Sequence, residues 1–418
     1  MIAAATMDLR PDFAREVEHW KVAAERLADP ESVASAAAWQ SLELYLGIAL
    51  RQMLAGVVAR LRVLASDVDT FVRTAPASIS SDALQARVVE LREAYLRAET
   101  TVDFYADVLA TRSIPKIAAL LRSCDHIATR SMAEALAPLG KETPAALSYM
   151  DRGLGASILK YNLRLFDGTA TNPVATIKVT RHNLLRPSAL IHEAGHQVAF
   201  TLGWTPEVLE SVRRTLGDGE LGSYWSSTVS EICADAFAHV HTGYAAAVAL
   251  HDVLDGTDAA VFRFIPGDPH PVSYVRVLLA IHMCRRTFGS GPWDRLADAW
   301  VVKHPISRCP FEVRGLLEHC VRTVPQVAEL LLFTRYSAFE ARSLAALIPP
   351  ERVSPASLAK LERDAGPAAG TSPYWGWNEA IRLLALHGYR AGMDALGLRG
   401  AVLGQESWML RLGAAVRT

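Results

Sequence analysis

Three polar residues stand in the otherwise apolar run LIHEAGHQVAF (residues 190–200): His192, Glu193 and His196. On a helix, residues four apart differ by about 40° in direction and about 6 Å in rise, so both imidazoles can reach one ion on one face. Glu193 points to an adjacent part of that surface, where a carboxylate can take a proton from a water activated by the ion. The same run also reads as a tightly packed core helix that carries two histidines. Ala194 and Gly195 bear on the choice, because a glycine inside a helix costs about 1 kcal/mol and usually marks a close approach.

A catalytic zinc usually takes a third protein ligand and leaves its fourth position to water. A third histidine six residues beyond the second is excluded, since that position is Leu202, and the reversed order H-x-x-E-H does not occur. In SEICADAFAHV (230–240), Glu231 lies 35 residues after His196, and Asp235 follows one helical turn later. This E-x-x-x-D element supplies a third ligand, Glu231, and a carboxylate, Asp235, free to hold the other ring nitrogen of a ligand histidine. TVSE (228–231) also has the spacing of a helix capping box, the alternative use for Glu231. His239, one turn further on, reads as an ordinary helical histidine, and His241 points elsewhere.

With H-E-x-x-H followed by E-x-x-x-D, the sequence resembles the gluzincins, the thermolysin-like superfamily of zinc peptidases. A third element, GDPHPVSYVRVLLA (267–280), places Pro271 after His270 and Arg276 six residues after that histidine. The pattern H-P-x-x-x-x-R in this position is similar to that of the membrane-embedded CAAX prenyl endopeptidases and their bacterial heat-shock relatives. The resemblance covers roughly residues 170–285 and departs from the membrane family in lacking transmembrane helices. It implies that His270 donates to the developing oxyanion and that Arg276 supports it or binds substrate carbonyls. Tyr274 is a lesser candidate for the donor role. Without the resemblance, residues 268–271 are a rigid turn entering a helix and Arg276 is a surface charge.

These side chains need elements to position them. Pro187 and Ser188 can start the first helix and Gly203 can end it, while a second helix is expected over about 228–250. ASILKYNLRLFDG (156–168) and NPVATIKVTRH (172–182), rich in β-branched residues and separated by the turn-rich DGTATN, suggest two short antiparallel strands. The strand at 173–180 is expected to edge the cleft and pair with an extended peptide, as zincin architecture implies. The Gly-rich TLGDGELGSYW (215–225) is a lid or a plain connector. SPYWGWNEA (372–380) offers aromatics for the core or for recognition.

From about residue 11 to 139 the text is helical, and in LELYLGIALRQMLAGVVARLRVL the residues Leu42, Leu46, Leu50, Leu54 and Val57 form one apolar face. Residues 137–147 interrupt the pattern. The expected architecture is mostly α (α+β): an N-terminal helical region (1–140), a zincin-like catalytic domain with a small antiparallel sheet (141–290), and a C-terminal helical region (291–418).

The bulk properties exclude several classes. Acidic and basic residues nearly cancel across the 418 residues, at a formal net charge of −1, so no basic field points to nucleic acid. No signal peptide or continuous apolar span is evident, and five cysteines without a C-x-x-C pair argue against a disulfide framework. The expectation is a cytoplasmic, soluble metallopeptidase in which Zn²⁺ is held by His192, His196 and Glu231, acts on a peptide or protein substrate, and is served by Glu193 as general base. A non-catalytic zincin-fold binding protein and a zinc hydrolase of a non-peptide amide are the alternatives.

Overall fold

The Ala-, Leu- and Arg-rich segments fold as helices, and three short segments before residue 180, two of them in the β-branched stretches and one in ALSYM, form a sheet, so the protein is predominantly helical. The structure, a computed structural model, describes residues 8–416 except Ala77, Leu154, Leu185 and Asp394. The chain forms two units: residues up to Ile114 with Tyr161–Pro173, and Pro115–Lys160 with Val174–Val416.

In the first unit, α1 (Arg10–Leu27), α2 (Ala36–Leu46), α3 (Leu50–Thr74) and α4 (Ser81–Arg112) are joined by short turns. Phe13 and Val17 of α1 meet Val57, Leu61, Ala65, Val68 and Val72 of α3 and Leu84, Val88 and Leu91 of α4. The three- and four-residue spacing of this set is what places it on one face of each helix. The apolar run at 42–57 is not one continuous helix. Gly47 takes a left-handed conformation (φ 68°) that ends α2, and Glu43 then accepts from the backbone and side chain of Arg51 across the break. Among the described residues no single helix is long and apolar enough to cross a membrane; α2 and α3 pass on length and composition only as a pair, bent by 113°.

Residues 161–173 belong to this first unit although they connect two strands of the second. The DGTATN turn closes with Leu165 N–H donating to Ala170 O at 2.7 Å, and Tyr105 of α4 donates to buried Asn172 at 2.8 Å.

The second unit begins with α5 (Pro115–Leu136), so the interruption at 137–147 is an internal turn of that unit, closed at Gly140 (φ 63°). The unit boundaries at 114 and 160 therefore differ from the expected one near 140, because α5 packs on the sheet and on the helix that follows it. The sheet has the order β1-β3-β2, from β1 (Ala146–Met150), β2 (Ser157–Leu159) and β3 (Ala175–Val179). Strand β2 runs antiparallel to β3, with Ile158 opposite Ile177, while β1 runs parallel to β3, with Ala146 opposite Ala175. The sheet is thus mixed rather than purely antiparallel. β3 is its centre and has no free edge for a peptide, contrary to the expectation for 173–180.

The chain continues through α6 (Ser188–Leu202), α7 (Trp204–Leu216), α8 (Glu220–Ser227), α9 (Val229–Thr242), α10 (Tyr244–Leu254), α11 (Asp258–Val261) and α12 (Ser273–Phe288). The helix expected over 228–250 is broken at Gly243 (φ 55°), where a β-carbon would lie 3.2 Å from Val353 O and from Phe288. Helix α6 packs along α9 with α5 behind it, and α12 lies against α9 and α10. Residues 311–391 add further helices around this group. All five cysteines are buried thiols, none of them in a disulfide.

Candidate metal centre

Helix α6 ends at Gly203 in the left-handed region (φ 67°), so its length is the one the sequence suggests. Leu190, Ile191, Ala194 and Val198 are buried in the protein interior. Gly195 has a specific purpose: a β-carbon there would lie 2.9 Å from Phe237 Cβ and 3.1 Å from Ala234 Cα. Its absence lets α6 and α9 approach closely enough for the side chains of one helix to meet those of the other.

His192 and His196 project from one face of α6, with ring centroids 4.8 Å apart and the rings nearly perpendicular. Glu231 projects from α9 toward both: His192 Nε2 is 3.4 Å from Glu231 Oε2, and His196 Nε2 is 3.3 Å from Glu231 Oε1. One ligand atom from each residue can be chosen so that all three lie within 4.8 Å of one another. Three ligands at about 2.1 Å from a tetrahedral ion stand about 3.4 Å apart, whereas a charge-assisted hydrogen bond is about 2.7–2.9 Å long. The separations between Glu231 and the two histidines, each to a different carboxylate oxygen, are longer than such a hydrogen bond and compatible with ligands around an ion. The donor set, two imidazoles and a carboxylate, suits a divalent metal.

The supporting residues fix these ligands. Asp235 Oδ1 lies 2.8 Å from His192 Nδ1, which turns the opposite ring nitrogen toward Glu231. Ser230 Oγ lies 3.3 Å from His196 Nδ1. Arg276 of α12 donates to Asp235 at 2.7 and 2.9 Å and to Glu231 Oε2 at 3.1 Å. It is 7 % exposed and bound to both carboxylates, so it is not a surface charge. It braces two carboxylates instead.

The electrostatics follow from burial and close charges. Burial works against a charged His192, but Asp235 and Glu231 outweigh it and lift the ring to about 10. Burial would raise Glu231 and Asp235; the histidines and Arg276 overcome it for Glu231, and Arg276 with His192 lower Asp235 to about 2. Glu193 differs. It is buried, with no ion pair among the described residues, and desolvation raises its carboxyl above the usual range despite His192 and His196 nearby.

His270 stands at the solvent side, 60 % exposed, with Nε2 3.7 Å from Glu231 Oε2 and Nδ1 2.9 Å from Asp268 Oδ1. Its turn is anchored by Val272 N–H, which donates to the buried Tyr224 hydroxyl at 3.0 Å. Tyr224 belongs to α8, so much of the Gly-rich 215–225 stretch is helix packed against its neighbours rather than a loop.

Other residues lie elsewhere. His239 meets Thr287 Oγ1 at 3.1 Å, His241 faces Glu134 at 3.5 Å, and Tyr274 packs between Phe262 and Trp300. No capping box forms at 228–231: Thr228 Oγ1 donates to Trp225 O, and Glu231 is turned to the histidines. In the 372–380 segment Tyr374 and Trp377 are exposed, at 65 % and 43 %.

Sequence reasoning did not find Ser230, Tyr224 or Lys160. Lys160 closes β2, and its half-buried ammonium stands 5.5 Å from the centroid of the Phe200 ring, one turn beyond His196 on α6. Burial lowers its pKa, opposed by the charges of Glu231 and Glu193. No motif spacing marks any of the three; only the packing of separate elements brings them in.

No protein-family model, curated protein or solved structure matches this chain. The functional reading therefore rests on the geometry of these residues and the chemistry open to them.

Proposed function

We propose that this chain is a zinc-dependent metallopeptidase of the gluzincin type, with His192, His196 and Glu231 holding the ion. The observation that carries this reading is the convergence of ligand atoms from α6 and α9 within 4.8 Å. Next to them lies a carboxyl, Glu193, whose pKa burial raises toward working pH.

A Zn²⁺ held there would supply a Lewis acid that polarises the substrate carbonyl and makes a water more acidic. Glu193 takes the proton of the attacking water and hands it to the leaving amine, a role that suits a raised carboxyl pKa. His270, exposed beside Glu231, donates from Nε2 to the developing oxyanion. Asp235 holds Nδ1–H of His192, which leaves Nε2 as the ligating nitrogen. Arg276 contributes by fixing Asp235 and Glu231, not by touching substrate.

The test is cleavage of a denatured-protein or peptide library by the zinc-loaded protein and by Glu193→Gln. Cleavage by wild type and its loss in the variant are expected. Equal cleavage by both would remove Glu193 from the chemistry, and no cleavage by either would overturn the peptidase reading.

A further inference from the structure

His270 stands on a stretch, residues 263–272, that joins α11 to α12 without regular structure and is mostly exposed. The order within it is local. Asp268 N–H donates to Ile265 O at 3.1 Å, and Asp268 Oδ1 accepts from the His270 N–H at 2.9 Å and lies at the same distance from His270 Nδ1. Pro269 and Pro271 have no N–H to add. These bonds shape the turn without holding it against the metal centre, and a group that meets a transition state has to be held to within about 0.5 Å.

Tyr224 of α8 meets both arms of this stretch. Its hydroxyl accepts from the Val272 N–H at 3.0 Å, and its ring centroid lies 6.2 Å from that of Phe264. Among the described residues, the Val272 bond is the only hydrogen bond from 263–272 to an element other than α11 and α12. The Val272 carbonyl accepts in turn from the Arg276 N–H at 3.0 Å, so the residue that Tyr224 fixes also opens the helix whose Arg276 braces Glu231 and Asp235. A tyrosine that only filled space would need no more than its ring. Here a phenylalanine would leave the N–H of buried Val272 without a partner.

We infer that Tyr224 is a positioning residue: by clasping Val272 and Phe264 it holds the His270 turn so that Nε2 stays beside Glu231, where the oxyanion donor is needed. It acts through His270. This deepens the metallopeptidase reading and rests on it for the role of His270.

The experiment uses the full chain, zinc-loaded, as wild type, Tyr224→Phe and Phe264→Leu, the last loosening the other arm of the clasp should Tyr224→Phe fail to fold. Amide hydrogen exchange at Val272 should become about tenfold faster or more, with α6, α9 and the zinc content unchanged. In protein labelled with ¹³C-histidine the ring signal of His270 should shift while those of His192 and His196 stay. In peptide cleavage kcat should fall about tenfold at constant KM, yet in a His270→Ala background the same substitution should change kcat less than about twofold, because the group it positions is already gone. A merely structural role would slow both backgrounds alike. An unaltered His270 signal in the variants, or an equal loss of kcat in both backgrounds, overturns the inference. If wild type cleaves nothing, the peptidase reading falls alone, and hydrogen exchange with the His270 signal still decides whether Tyr224 holds the turn.

Discussion

Gly195 on α6 lies directly against Phe237 on α9, and a β-carbon at 195 would come within 2.9 Å of Phe237 Cβ. The two helices carry all three candidate ligands, so this contact sets the distance between the histidines and Glu231. Gly195→Ala should gain about 1 kcal/mol of helix propensity and lose about 1–3 kcal/mol to overpacking. A net loss of stability, larger in Gly195→Val, is expected in urea unfolding, with at least a tenfold loss of zinc affinity. Unchanged zinc affinity in both variants would show that the close approach does not control the site.

Arg276 is a buried brace between Asp235 and Glu231. Removing it in Arg276→Met leaves Asp235 and Glu231 with only the histidines as partners, and breaking a buried pair on one side typically costs about 3–5 kcal/mol. Denaturant unfolding should show a loss of that order, and metal analysis should show weakened zinc retention. A variant with wild-type stability and zinc, altered only in KM, would return Arg276 to a substrate contact.

His270 is exposed and hydrogen-bonded to Asp268, outside the set formed by His192, His196 and Glu231. His270→Ala should keep the fold and one zinc per chain while kcat falls by about 10²–10³, the usual cost of an oxyanion donor. Loss of the metal instead would make His270 a ligand.

Stability should fall on mild acidification because His239 and His241 are buried as neutral rings. Desolvation lowers them from 6.5 to about 3 and about 4, respectively, with Glu134 partly opposing the shift in His241. A ring whose folded pKa is depressed gives its full stabilisation above its unfolded pKa near 6.5. That stabilisation is lost as pH falls below 6.5 toward the folded value, because the unfolded chain then binds more protons. Each group is worth about 1.4 kcal/mol per pH unit in that window, or about 2 kcal/mol by pH 5. Urea unfolding at pH 7 and pH 5 measures it, and His239→Gln should reduce the difference. A variant with the same pH dependence as wild type would show that His239 does not contribute.

Much of the helical framework was legible in the residues themselves. Gly203 marks the end of α6 because only a residue tolerant of φ 67° stops a helix cleanly there, and Gly195 announces a close contact by its misfit with helix propensity. Gly47 and Gly243 look like tolerated glycines in apolar runs. What makes Gly243 a break is Phe288 and the Val353 carbonyl behind it, and neither is near in sequence. Strand β1 is only five residues long, and its parallel pairing with β3 depends on α5 covering it. The spacing of Glu231 and Asp235 shows that they share a helix face, but not that the face meets the histidines. Arg276 reads as a surface charge until α12 is packed on α9, and Lys160 has no spacing to reveal it.

The central claim is that one Zn²⁺ binds between α6 and α9, and anomalous diffraction at the zinc edge from crystals of the zinc-loaded protein tests it most directly. A single strong peak about 2.0–2.2 Å from His192 Nε2, His196 Nε2 and a Glu231 oxygen is expected, lost in Glu231→Ala. The absence of a peak between these three residues, or a peak there that persists undiminished in Glu231→Ala, would contradict it.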